Sequence, residues 1–112
     1  MSNKQSRDKE ITKKIINEIY DIELFIANMS EEEYYSDKKT QKAVVMSLIN
    51  IGELVKAYTE EFLAKHSYIP WKKIQALRNI AAHKYEAIDP TIVWDTIKIS
   101  IPDLKEALRK DK

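Results

Sequence analysis

Isoleucine returns every third or fourth residue through the first quarter of the chain. Ile11, Ile15, Ile19, Ile22 and Ile26, followed by Met29, form one stripe, and Ile16, Tyr20 and Leu24 widen it. Strand side chains alternate in twos, so only a helix gathers such a set on one face. The spacing predicts a long amphipathic helix over about residues 6–29. The same period runs through Val44, Leu48, Ile51, Val55, Tyr58 and Phe62, which predicts a second helix of five turns. It returns in Ile74, Leu77 and Ala81, and again in Val93, Ile97, Ile101, Leu104 and Leu108. No segment alternates as a strand would. The expected fold is all-α, an up-and-down bundle of four to five helices.

Local signals punctuate these helices. Ser30-Glu31-Glu32-Glu33 has the pattern of a capping box, and Ser36 or Asp37 can cap the helix that follows. His66 to Ile69 breaks the period, and Pro70 suits the first turn of a third helix. Tyr85 to Ile88 reads as a connection, with Asp89-Pro90 as a cap and first-turn proline. Pro102 falls inside the last apolar pattern, so a kink or short break is expected there. Gly52, the only glycine, lies inside the strongest helical pattern, where it costs ~1 kcal/mol relative to alanine. Close approach by another helix is the usual compensation.

Composition narrows the chemistry. A chain of 112 residues, 44% hydrophobic, suits one globular domain spanning 1–112 and not a disordered segment. The absence of cysteine removes disulfides, thiol nucleophiles and thiolate metal sites together. With only His66 and His83, a multi-histidine zinc site is out as well, and neither a metal nor a cofactor is expected. No apolar run approaches the ~18 residues of a membrane span, and the first eight residues lack the apolar stretch of a signal peptide, so the expected location is cytoplasmic. The net charge of +1 hides a division. Residues 21–37 carry six acids and no base, whereas residues 71–84 carry Lys72, Lys73, Arg78 and Lys84 and no acid. That is not the broad basic surface of an obligate high-affinity nucleic-acid binder, and no DNA partner is expected, although a local strip of this kind can hold a few phosphates. Two solvated faces of opposite sign would give the same counts.

The segment richest in chemistry runs from Leu77 to Tyr85. On a helix, Asn79 and His83 lie four apart on one face, where an amide can fix an imidazole and its tautomer. Arg78 lies about 140° from His83 around the axis, so only its long side chain would bring the guanidinium back. Tyr85 can join only if the helix ends near His83. Together these residues offer a fixed cation, an orienting amide, a proton carrier and a phenol. Metal-free RNA cleavage needs a group to take the 2′-OH proton, one to protonate the leaving 5′-oxygen, and a cation for the charge on phosphorus. The same residues also admit a structural reading, with His83 as a helix-end cap and Arg78 paired to Glu53 or another acid. No Gly-x-Ser-x-Gly turn is present, and one glycine cannot build a phosphate-cradling loop.

Arg78-x4-His83-x-Tyr85 resembles the R-x4-H-x-Y motif of HEPN-domain proteins, specifically the HepT-like toxins paired with a minimal nucleotidyltransferase (MNT) antitoxin. Ile51-Gly52-Glu53, Ile69-Pro70-Trp71, Arg78-Asn79, Ile88-Asp89, Val93-Trp94 and Ile101-Pro102-x-Leu104 follow the family's order and approximate spacing, from about Gln41 to Leu104. The resemblance implies a metal-independent endoribonuclease toxin that acts as a two-fold homodimer, with two motif copies at one cleft. In that frame His83 is the acid/base residue, Arg78 holds the phosphate and stabilises charge, and Asn79 orients. Beside the resemblance, this chain's own basic strip makes Lys84, Lys72 and Lys73 candidates for attracting RNA, and the costly glycine in a well-patterned helix puts Gly52 and Glu53 near the expected dimer interface. Tyr85 corresponds to the tyrosine to which the antitoxin adds AMP. The alternative is a non-catalytic subunit that uses the same cleft to bind a nucleotide or to present a substrate to the nucleotidyltransferase.

Overall fold

The first isoleucine stripe becomes the middle of the core. Ile11, Ile15, Ile19 and Ile22 are all buried on the first helix, against Val44, Leu48, Ile51 and Val55 of the third. The computed structural model describes residues 3–84 and 88–110, and for Leu77 and residues 79–84 it describes the backbone alone. In chain order the helices are α1 (Asn3–Phe25), α2 (Glu31–Ser36), α3 (Lys38–Lys56), α4 (Glu60–Lys65), α5 (Trp71–Lys84), α6 (Pro90–Asp95) and α7 (Ile101–Arg109). A π-helical turn, Thr96–Ser100, joins the last two. Among the described residues there is no strand, so the fold is the all-α bundle that the periodicity predicts. The long helix α3 is the hub, packing on α1 along one side and on α5 along the other. The rod of α6, π turn and α7 closes over α1, and α2 bridges α3 and α6.

Caps place the helix starts. Ser30 and Glu33 form the reciprocal capping box of α2, with bonds of 3.0 and 3.1 Å. Asp37 caps α3 by accepting from the Thr40 N–H at 3.0 Å, and Asp89 caps α6 by accepting from the Thr91 N–H at 2.9 Å, ahead of Pro90. Each carboxylate is held below its usual pKa by these bonds: Glu33 chiefly by the Ser30 N–H, Asp37 by the Thr40 N–H, and Asp89 by the Thr91 hydroxyl and N–H. Accepting hydrogen bonds favours the charged form.

Several element boundaries differ from the sequence expectation, each for a local reason. The first helix ends at Phe25 rather than near Met29, because Asn28 takes a left-handed φ of 61°, a conformation that asparagine tolerates and a helix does not. The five-turn helix from Val44 to Phe62 is two helices. It stops at Lys56 and restarts at Glu60, with Thr59 as the new N-cap. Thr59 is gripped from α1, where Asp8 accepts its N–H at 3.0 Å and its hydroxyl at 2.7 Å. Tyr58 meets the Thr12 hydroxyl at 2.6 Å beside it. Pro70 lies one residue ahead of α5, its carbonyl accepting from Lys73 and Ile74. The break expected at Pro102 is the π turn directly before it, where the Ile101 N–H reaches back five residues to the Thr96 carbonyl.

Candidate active site between α3 and α5

Helix α5 carries the segment that the sequence singles out. Trp71 and Ile74 are buried, and Trp71 is anchored by a 3.2 Å bond from its indole N–H to the Leu63 carbonyl. Arg78 is one turn beyond Ile74 and so continues the stripe that faces α3. Its side chain is 26% exposed, which is low for arginine and marks a group held between two helices.

Gly52 explains how the arginine fits. It is buried on α3, and a Cβ built there would overlap the Arg78 Cβ and lie 2.8 Å from its Cγ. The close helix approach expected of the lone glycine is thus found within one chain. The guanidinium then reaches the next residue of α3, and Arg78 Nη2 forms an ion pair with Glu53 Oε1. Of the two readings open for Arg78 in the sequence, pairing with Glu53 is realised. That pairing is compatible with phosphate binding, because guanidinium offers five N–H donors in a rigid fork.

Glu53 also lines a shallow open groove between α1 and α3, together with Lys14, Asn17, Glu18, Asn50 and Leu54. The Asn50 amide donates to Glu18 across it at 3.3 Å. Through Glu53 the ion pair adjoins this surface depression. Nothing in the sequence pointed to this groove, whose residues are scattered over two helices.

The other expected site residues are placed less closely. Asn79 and His83 both fall on α5, four residues apart, so the backbone carries the same-face spacing. Their side chains, and that of Lys84, lie outside the described residues, as does Tyr85 altogether. Lys72 and Lys73 are exposed on the first turn of α5, roughly 120° and 140° around the axis from Arg78. They do not share its face. His66, the second histidine, is a buried structural residue: its Nδ1 donates to the Phe62 carbonyl at 2.9 Å and its ring stacks on Phe62. No cluster of three or more potential metal-ligating side chains occurs among the described residues, and no described helix is long and apolar enough to cross a membrane.

A family model described as Ribonuclease HepT-like matches residues 15–110. A Methanocaldococcus jannaschii protein named as an RNase is 42% identical over 93 residues, covering 82% of this chain and 77% of its own. A Thermococcus cleftensis protein named as a ribonuclease HepT is 37% identical over 105 residues, covering 91% of this chain and 96% of its own. A second M. jannaschii protein, named as a gamma-glutamylcyclotransferase and RNase, is 34% identical over 96 residues. That match takes in 86% of this chain but 43% of the relative, so the chain spans less than half of that protein. No solved structure matches.

Proposed function

Because the chain belongs to the HepT-like ribonuclease family, we infer that it is an RNA-cleaving enzyme of the HEPN type, and we propose that Arg78 and His83 perform the cleavage without a metal. The observation that carries this reading is Arg78 itself, half-buried, paired with the groove residue Glu53 and five residues before His83 on the same helix. In the proposed reaction a 2′-hydroxyl attacks the adjacent phosphorus as one imidazole removes its proton. The bond to the 5′-oxygen breaks as a protonated imidazole supplies that oxygen with a proton, leaving a 2′,3′-cyclic phosphate and a 5′-hydroxyl. Arg78 stabilises the charge that builds on the phosphoryl oxygens. One histidine cannot easily be base and acid at once, so the active species is a two-fold homodimer with a copy of His83 from each chain. Asn79 orients His83, and Lys84, Lys72 and Lys73 attract the RNA backbone.

The system around the enzyme is part of the same proposal. The chain acts as a cytoplasmic toxin, and an MNT-type nucleotidyltransferase neutralises it by adding AMP to Tyr85. Bulk and negative charge two residues from His83 would then compete with RNA phosphate for Arg78. The test is incubation of the purified chain with end-labelled RNA in excess EDTA. We expect cleavage with cyclic-phosphate ends, reduced by ~10²–10⁴ in His83→Ala. RNA or nucleotide binding without cleavage would favour the non-catalytic subunit, and a requirement for divalent metal would move the chemistry to other residues.

A further inference from the structure

The one glycine of the chain and the acid that follows it lie directly against Arg78, and this points beyond interface support as their role. We propose that Glu53 is a positioning residue for Arg78: its carboxylate, at the point where Gly52 lets the arginine stem lie against α3, fixes the guanidinium in the orientation that receives an RNA phosphate. The proposal rests on the reading of Arg78 given above.

Stability is a poor explanation for this pair. Glu53 is 47% exposed at its side chain, and an ion pair so open to water contributes little to folding. Its geometric effect is larger. The arginine stem is confined by the backbone of α3, since a Cβ at Gly52 would overlap its Cβ, and the guanidinium end is tied through Nη2. An arginine restrained at both ends loses less conformational freedom when it takes a phosphate, and its planar fork can hold a carboxylate on one edge and a phosphoryl group on another. Glu53 also joins the ion pair to the groove lined by Lys14, Asn17, Glu18, Asn50 and Leu54.

The two effects of the carboxylate have opposite signs on binding and on rate. Its negative charge opposes the approach of a phosphate, whereas its grip on Arg78 aligns the cation for the transition state. Removal of Glu53 is therefore expected to leave KM unchanged or lower it while reducing kcat by about 10–100-fold, the range for misplacing a catalytic group by an ångström. Glu53→Gln, which keeps an acceptor for the guanidinium, should lose less than Glu53→Ala. In an Arg78→Ala background, Glu53→Ala should cost nothing further in kcat, because a residue that acts only through Arg78 has nothing left to position.

A second readout does not depend on cleavage. The chain has three arginines, Arg7, Arg78 and Arg109, so their side-chain Nε–Hε signals can be assigned by nitrogen-15 NMR. We expect Arg78 to be resolved and ordered in the full-length protein and to become mobile in Glu53→Ala, with Glu53→Gln between them. An Arg78 signal unchanged by Glu53→Ala, or a full additional loss of kcat in the double variant, would overturn the proposal. If the unmodified chain fails to cleave RNA, the nuclease reading falls. The Arg78 signal during a titration with a non-cleavable 2′-deoxy oligonucleotide then decides whether Glu53 still presents that guanidinium to a phosphate: a response equal in the unmodified protein and Glu53→Ala would say that it does not.

Discussion

Two of the polar contacts between helices in this bundle differ in almost every physical respect. At the joint between α3 and α4, Asp8 of α1 is buried and spends both carboxylate oxygens on Thr59, with Tyr58 and Thr12 bonded alongside. Between α3 and α5, Glu53 is half exposed to water and forms an ion pair with Arg78. The first arrangement is satisfied by the chain's own backbone and side chains, and water has little access to it. The second holds a charge at the surface in reach of something else. A buried, closed contact fixes a fold, because breaking it leaves a desolvated group without a partner. A partly exposed ion pair is worth little to the fold.

Substitutions can break that contrast or sharpen it. The largest effect is expected at Arg78. Arg78→Ala should reduce RNA cleavage by about 10²–10³, the loss typical of one charge-stabilising group, while moving the thermal midpoint only slightly. Cleavage assays beside calorimetry on the same preparation would show this, and a large drop in melting temperature would make Arg78 a fold residue like Asp8. Asp8→Ala should do the reverse. Leaving the Thr59 N–H and hydroxyl without their acceptor costs about 1–3 kcal/mol, or on the order of 5–15 °C in melting temperature, with the activity of the folded fraction retained.

Gly52→Ala tests the close approach itself. Helix propensity alone would make it stabilising by ~1 kcal/mol, but overlap with the Arg78 Cβ opposes that with about 1–3 kcal/mol of strain. A net loss in urea midpoint together with lower activity is expected, and a gain in stability would mean that the helices have room to spare. The smallest effect is expected from acid. Glu33, Asp37 and Asp89 have depressed pKa values in the folded chain, so the stability they contribute is present above the ordinary carboxylate range and is lost as pH falls through the folded values. Urea midpoints should therefore decline below about pH 4, and less steeply in an Asp37→Asn, Asp89→Asn variant.

The sequence made the α1 stripe, the Ser30 box and the Asp89-Pro90 start legible because each depends on residues within a turn or two of one another. The division of the second helix was harder to read. Val55, Tyr58 and Phe62 keep helical spacing across the break, and the Tyr58 and Phe62 rings even stack with centroids 4.0 Å apart. Thr59-Glu60-Glu61 does carry the local signature of a new N-terminus, but what secures the break is Asp8, fifty-one residues away in sequence. The candidate site divides in the same way. The spacing of Arg78, Asn79 and His83 is local and was visible, whereas the approach of Gly52 and Glu53 to Arg78 is a tertiary event, signalled only by a glycine where a helix should not want one. The groove shared by α1 and α3 left no signal in either helix taken alone.

In the C-terminal rod, the π turn is a remainder in a division. From Val93 through Ile97, Ile101 and Leu104 to Leu108, all buried, the chain winds four turns with fifteen residues, where an α-helix would use about 14.4. The surplus is taken up in Thr96–Ser100, beneath Pro102, whose ring would otherwise meet the carbonyl four residues back. Removing one residue from 98–100 would leave fourteen, which fits ordinary winding as well as fifteen does, provided Pro102 is replaced too. The shortened rod would present the same leucines and isoleucines to α1. Within α6 or α7 a single deletion turns that face by about 100° and exposes it, so the π turn is where the rod can change its length and keep its fold.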